Sequence, residues 1–278
     1  MKAMILGASG LLGKELMREW TGDEVVGLGS RDVDIRDVDK VLKVVQEARP
    51  EWVVLAAAYT NVDDCESHPD LAFAVNRDGA VNVARAAKRI GAKLLFLSSD
   101  YVFDGKKTSP YETGDARNPQ SIYGRTKAEA EVRMLDLLPE CCIARTSWLF
   151  GTGGKCFPDT ILKLAASRPA LDVVNDQRGG PTYAVDLARA IIDLCRNHAT
   201  GIVHTTNTGD CSWYEFARDI MKGAGLATKV RPVSSQQMAR PAPRPAYSVL
   251  SPKSLQQYGI AMPTWQDALE RYLRERKN

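Results

Sequence analysis

Short apolar runs alternate with longer amphipathic ones along this chain, and their order is the first statement it makes about its fold. Ala3-Met4-Ile5-Leu6, Glu24-Val25-Val26-Gly27-Leu28, Trp52-Val53-Val54-Leu55 and Lys93-Leu94-Leu95-Phe96-Leu97 are short and rich in aliphatic side chains. Runs of that kind read as strands buried on both faces. Between them Lys14–Trp20, Val38–Ala48 and Leu71–Ile90 carry helical periodicity, and a further helix starts near Ser121. The alternation continues to about Arg145 and predicts an α/β fold, a Rossmann-like doubly wound parallel sheet.

Beyond Cys141-Cys142-Ile143-Ala144-Arg145 the texture changes. Trp148 to Gly154 is a glycine-rich loop, and Val173 to Thr182 reads as a second polar, glycine-dense turn. A helix from Tyr183 to Arg196, a sheet strand Gly201–His204, a helix near Trp213–Gly223 and a closing helix from Trp265 follow. The proline-rich stretch Arg240–Pro245 reads as an ordered loop over a surface or as a lid. The pattern predicts an NAD(P)-binding domain over residues 1–146, to which 183–206 return. Residues 147–182 and 207–278 then form a smaller C-terminal substrate-binding part, the other wall of a cleft.

Composition narrows the class. With 278 residues, 44% hydrophobic and 26% charged, the chain is an ordinary globular protein. A formal charge of +3 without basic runs argues against a nucleic-acid partner. No segment approaches the roughly 20 apolar residues of a membrane span, and the N-terminus runs into glycine too soon for a signal peptide. Six cysteines without a CxxC, and three histidines without ligand spacing, predict neither a metal site nor a disulfide framework, and fit a cytoplasmic location.

The candidate chemistry begins where the first strand ends. Gly7-Ala8-Ser9-Gly10-Leu11-Leu12-Gly13 is a G-x-x-G-x-x-G turn between strand and helix, the setting in which glycines let the backbone approach a pyrophosphate. At the tip of the second strand, Gly29-Ser30-Arg31 offers a base for a 2′-phosphate and points to NADPH; if Asp32 or Asp34 instead grips the ribose, NADH is the cofactor. Ala56-Ala57-Ala58 after the third strand suit close approach of a cofactor. Ser98-Ser99-Asp100 end the fourth strand, beyond the carboxyl edge where open parallel sheets bind ligands. Tyr123 and Lys127 lie four residues apart, on one helical face. A tyrosine is a poor acid with a pKa near ~10, and an adjacent ammonium favours its phenolate and so lowers the cost of proton transfer.

These glycines, Asn76, Ser98-Ser99 and Tyr123-x3-Lys127, in that order, resemble the extended short-chain dehydrogenase/reductases over nearly the whole chain. Ser98 to Gly105, Arg145-Thr146-Ser147-Trp148, Asn175-Asp176-Gln177, Gly180-Pro181-Thr182 and Arg244-Pro245 look like the dTDP-4-dehydrorhamnose reductase family within them. That resemblance implies NAD(P)H-dependent reduction of the 4-keto group of dTDP-4-dehydro-L-rhamnose to dTDP-L-rhamnose. It implies Tyr123 as proton donor, Lys127 as its electrostatic partner and a donor to the nicotinamide ribose, and Ser99 at the substrate carbonyl. It assigns the cofactor to Gly7, Ser9, Gly10, Leu11, Leu12, Gly13, Arg31, Asp34, Ile35, Ala56, Ala57, Ala58, Asn76, Ser98, Tyr123 and Lys127. The nucleotide-sugar falls to Thr60, Val62, Ser99, Asp100, Tyr101, Tyr123 and Trp148. Asp100-Tyr101 lacks the Asp-Glu pair of nucleotide-sugar dehydratases, which favours simple reduction; a 4-epimerase and a non-catalytic regulatory subunit are the alternatives. Some members form a homodimer bridged by glutamate-bound magnesium. Glu15 matches the first such position, but Val185 stands at the second with Asp186 beside it, so no metal is expected and Glu15 reads as a surface residue.

Overall fold

In the computed structural model, which describes residues 1–276, the predicted strands and helices alternate as expected up to Thr146. β1 (Lys2–Leu6), α1 (Leu11–Glu19), β2 (Glu24–Leu28), α2 (Val38–Ala48) and β3 (Trp52–Leu55) come first. The single helix expected over 71–90 is instead α3 (Val62–Ser67), α4 (Pro69–Phe73), a π turn over Ala74–Gly79 and α5 (Ala80–Ile90). Pro69, suited by its fixed φ to the first turn of a helix, starts α4, and the extra residue of the π turn changes the direction in which Asn76 points. β4 (Lys93–Ser99), α6 (Ile122–Leu137) and β5 (Cys142–Thr146) complete the regular part.

The remainder is β6 (Leu149–Phe150), α7 (Phe157–Ala165), β7 (Ala170–Val174), β8 (Arg178–Gly179), β9 (Thr182–Tyr183), α8 (Ala184–Arg196), β10 (Gly201–His204), β11 (Cys211–Ser212), α9 (Trp213–Ala224), β12 (Lys229–Val233), α10 (Lys253–Gln256) and α11 (Trp265–Glu275). Val173-Val174, read from sequence as part of a polar turn, belongs to β7, which pairs in parallel with β12. In that strand Leu171 and Val173 are buried while Asp172 is exposed, an alternation too short to distinguish a strand from a turn.

Six strands form one parallel sheet in the order β2-β1-β3-β4-β5-β10. The chain lays β2 on one side of β1 and β3 on the other, so the strand order reverses between β1 and β3. A crevice opens there beyond the carboxyl ends, the place where such sheets take ligands. Both faces are covered. Leu12 and Leu16 of α1 pack with Leu187 and Ile191 of α8 on one, while Val41, Val83, Ala87 and Met134 of α2, α5 and α6 cover the other. A separate apolar cluster, centred on Phe150, Phe216, Trp265 and Tyr272, holds α7, α9 and α11 together.

Among the described residues no helix is long and apolar enough to cross a membrane, and the six cysteines are buried and unpaired. Glu15 is not a surface residue: it is 4% exposed. Its carboxylate lies 2.7 Å from Arg18, which also pairs with Glu275, and Asp186 is gripped by both terminal nitrogens of Arg271. Guanidinium groups thus already neutralise these carboxylates, and no cluster of three metal-ligating side chains exists among the described residues, so this place does not fit a magnesium ion.

α6 carries both Tyr123 and Lys127, and its seating on the sheet depends on an ion pair. Glu131 and Arg145 of β5 are both fully buried; Arg145 donates from Nε and Nη2 to the two carboxylate oxygens at 2.9 and 2.6 Å. The Ser98 hydroxyl donates to Glu131 Oε1 at 2.5 Å, so the helix, β5 and the end of β4 share one network. Removing one partner leaves the other charge buried without its partner, which costs about 3–5 kcal/mol. Glu131→Gln is therefore expected to lose about 3–5 kcal/mol in urea unfolding, and a loss under about 1 kcal/mol would show that α6 is seated by other contacts.

Candidate functional site

The turn after β1 is shaped by close approach. Gly7 has φ +99°, and a Cβ there would lie 2.5 Å from the Ala57 amide nitrogen, so the ends of β1 and β3 touch. A Cβ on Gly13 would lie 2.1 Å from the Gly7 carbonyl, which presses α1 directly onto the strand end. Gly10 is different: it is exposed and a Cβ there meets only Gly7 O at 3.3 Å, so the chain's own packing leaves one side of it clear. Gly10 is also the N-cap of α1 and offers no side chain, and the first turn of the helix holds no acid. The amides at that N-terminus are therefore left for an anion.

A cavity of about 800 Å³ opens over this turn. Its wall contains Gly7, Ser9, Gly10, Leu11, Leu12, Gly13, Asp34, Ile35, Ala56, Ala57, Ala58, Ser98, Tyr123 and Lys127 of the expected cofactor set. It also contains Thr60, Val62, Ser99, Asp100, Tyr101 and Trp148, the whole expected substrate set. Bare backbone at Gly7 and Gly10, a free helix N-terminus and this volume fit a dinucleotide.

Two expected residues lie elsewhere. Arg31 is exposed and is not part of the wall, because Asp32 accepts a hydrogen bond from the Gly29 amide at 2.7 Å and folds the chain into a tight turn. Arg36 and Ser30 are on the wall instead. Arg36 is bonded through its Nε and Nη2 to Asp34, whose carboxyl it holds below the usual range. Asn76 is 1% exposed and is a brace. Its amide spans the Tyr59 N–H at 2.7 Å, the Tyr59 carbonyl at 3.0 Å and Thr126 Oγ1 at 3.1 Å, tying the segment after β3 to α6. Sequence reasoning also missed Trp213 and Lys155, both of which line the cavity from the C-terminal part. Lys155 directly follows the glycine-rich loop, which was its signal; Trp213 had none.

At the sheet's edge three groups converge. Ser121 caps α6, accepting from the Gly124 amide at 3.1 Å, and so fixes the helix start that places Tyr123 in its first turn. The phenol ring packs edge-on against Tyr101, with centroids 5.6 Å apart. Ser99, whose hydroxyl donates to Asp100 Oδ1 at 2.9 Å, lies within reach of the Tyr123 phenol. Lys127 is 2% exposed; its ammonium donates to the Leu97 carbonyl at 2.7 Å and lies 4.5 Å from the centre of the Phe96 ring.

A doubly wound sheet with a glycine-lined crevice at its switch point, and Ser, Tyr and Lys on the same wall, is the architecture of a dinucleotide-dependent short-chain dehydrogenase/reductase. The chain matches the RmlD substrate binding domain family over residues 1–278 and belongs to that family. It is 43% identical over 279 residues to the spore coat polysaccharide biosynthesis protein SpsK of Bacillus subtilis (strain 168), covering 100% of this chain and 98% of that one. It is 40% identical to a dTDP-4-dehydrorhamnose reductase of Streptomyces griseus, covering 96% and 91% of the two chains. The crystal structure of the Bacillus anthracis str. Ames dTDP-4-dehydrorhamnose reductase in complex with NADP superposes with a TM-score of 0.96, at 39% identity and 99% coverage of both chains.

Electrostatics at the site differ from the sequence expectation in one respect. Burial pushes the Tyr123 phenol well above its ordinary pKa, the Ser99 hydroxyl pulling the other way, and the charge of Asp100 pushes it further up. The expected acidification by Lys127 is outweighed because the lysine is itself buried, which lowers its pKa to about 7, with Glu131 opposing. Asp100, 1% exposed, is pushed up to about 6 by burial, against the hydroxyls of Ser248 and Ser99. For Lys127 the folded pKa lies below the unfolded value of 10.5, so the unfolded chain binds the extra proton between about 7 and 10.5 and stability rises with pH across that window. Lys127→Met is accordingly expected to gain stability over wild type at pH 7 and to lose that gain as pH approaches 10. Parallel unfolding curves at both pH values check it, and a pH-independent difference would mean that the buried amine is not desolvated.

Proposed function

We propose that the protein is a dTDP-4-dehydrorhamnose reductase that uses NADPH to reduce the 4-keto group of dTDP-4-dehydro-L-rhamnose, giving dTDP-L-rhamnose. The observation that carries this reading is the placement of Ser99, Tyr123 and Lys127 on one cavity wall with the glycine turn of β1 and α1. The nicotinamide, when bound, supplies the hydride. The chain's own residues handle the oxygen left behind.

Tyr123 is kept protonated by its burial, the state that a proton donor requires. As charge grows on the C4 oxygen, the phenol and the Ser99 hydroxyl donate hydrogen bonds to it, and the phenol then gives up its proton. Lys127, one helical turn away, favours that loss whenever it is charged. Asp100 accepts from Ser99 and so orients that hydroxyl. The π turn and Asn76 hold Thr60 and Val62 of the sugar wall against α6. On the cofactor side, Arg36 with Ser30 is the base available to a 2′-phosphate, in the role expected of Arg31.

Nicotinamide absorbance followed with purified protein and dTDP-4-dehydro-L-rhamnose tests the reading. Tyr123→Phe is expected to bind NADPH normally and to lose about 10²–10⁴ in turnover; near-normal turnover would remove the phenol from the mechanism. Arg36→Ala is expected to reduce the preference for NADPH over NADH by roughly tenfold or more, the worth of a charge-assisted hydrogen bond, while Arg31→Ala leaves it unchanged. The reverse pattern would return the phosphate to Arg31.

A further inference from the structure

Trp148 occupies an unusual position. It follows β5 with φ +45°, in the left-handed region that a bulky side chain rarely adopts, and lines the cavity. Its indole lies against Gly179, where a Cβ would sit 2.5 to 2.8 Å from three of the ring atoms. It is also stacked on Trp213, with ring centroids 3.4 Å apart and planes within 5°.

The two neighbours are delivered by one small piece of structure. β8 and β11 pair antiparallel, Cys211 opposite Gly179 and Ser212 opposite Arg178, so Gly179 and the start of α9 are held side by side. Ser212 and Glu215 form a capping box that fixes the first turn of α9, where Trp213 is the first residue. Glu215 also accepts from Arg178 at 3.1 Å, closing the pair. Behind Trp213 stands Phe157, 4.5 Å away, which is stacked in turn on Phe216 in the C-terminal core. The stack therefore runs from the cavity wall into fixed packing, and the only part of it open to the cavity is the two indoles.

We propose that Trp213 is a positioning residue for the nucleotide-sugar: it clamps the Trp148 indole in its left-handed setting, so that the keto-sugar meets a wall already fixed before binding. This rests on the reductase reading above. A fixed aromatic face spares the ordering of a large side chain on binding and so favours affinity for the sugar. The clamp is built on the substrate wall of the reading above and apart from the β1–α1 turn in sequence, so cofactor affinity is expected to be independent of it.

Three variants test the clamp. Trp213→Ala is expected to raise KM for dTDP-4-dehydro-L-rhamnose roughly tenfold, as loss of an aromatic pair allows, with KM for NADPH unchanged and kcat at saturation little altered. Trp213→Phe restores most of the affinity, since a phenyl ring still stacks. Gly179→Ala, whose backbone conformation admits a side chain, displaces the Trp148 ring from the other neighbour; it raises the same KM and weakens the exciton signal of the paired indoles in circular dichroism. An unchanged sugar KM in Trp213→Ala, or equal rises in both KM values, overturns the proposal. If the wild-type chain oxidises no NADPH, the reductase reading fails separately. The clamp is then decided by circular dichroism alone: a paired-indole signal absent from wild type, or one that survives Gly179→Ala, overturns it.

Discussion

The buried pair of Glu131 and Arg145 is the constraint on which the placement of the site depends. α6 has only a weak apolar stripe of its own: Gly124, Thr126 and Lys127 are as deeply buried as Ala128, Ala130 and Met134. Hydrophobic burial by itself would not specify how that helix rotates on the sheet. A carboxylate that accepts from Arg145 through both oxygens, and from Ser98 as well, has one geometry, and it sets the rotation that turns Tyr123 and Lys127 toward the end of β4. Ser98 precedes Ser99, so one network registers the helix against the strand that carries the second hydroxyl of the site. Such a pair contributes specificity of arrangement more than net stability.

The other half of the cavity is built by the opposite device, the removal of side chains. Gly7 and Gly13 let α1, β1 and β3 meet at distances that a methyl group forbids. Gly10 leaves the far side of the same turn bare. The two devices converge because the sheet reverses its strand order at β1, which brings the glycine turn and the ends of β3 and β4 to one crevice. Asn76 joins them by bonding to both Tyr59, beyond β3, and Thr126, inside the Tyr123–Lys127 turn of α6.

Much of this was legible in the sequence because it is local. The strand, glycine turn and helix lie within the first twenty residues, and the four-residue spacing of Tyr123 and Lys127 needs only the helical period. The doubly wound parallel sheet up to β5 followed from alternation. What was not legible depends on turns and on pairing at a distance. Arg31 and Arg36 both follow β2, and the turn closed by Gly29 N on Asp32, with Arg36 held on Asp34, leaves Arg36 on the cavity wall. Asn76 reads as a site residue in order, yet a π turn makes it a brace. Glu15 reads as a surface residue of the first helix, yet it is buried beside Arg18, which Glu275 from the last helix also pairs with, a meeting of chain ends that spacing does not show. Trp213 reaches Trp148 through two-residue strands, which are below what periodicity detects.

The error about acidity is the most informative of these. Proximity of an ammonium to a phenol argues for a low tyrosine pKa only while the amine stays protonated and its pull exceeds the cost of desolvating the phenolate, and burial works against both conditions here. Burial works on the two groups in opposite senses, raising Tyr123 and lowering Lys127 to about 7, and it lifts Asp100 to about 6. Near neutral pH Lys127 therefore carries only part of its charge, while Asp100 is mostly ionised and disfavours a phenolate beside it. A site meant to stabilise a phenolate at rest would be poorly served by that arrangement. One that must hold a protonated phenol until an oxyanion forms beside it is well served, because the charge that draws the proton away is created by the reaction and is screened by little solvent. The burial that makes Tyr123 a weak acid would thus also strengthen any hydrogen bond it donates to an oxyanion formed beside it.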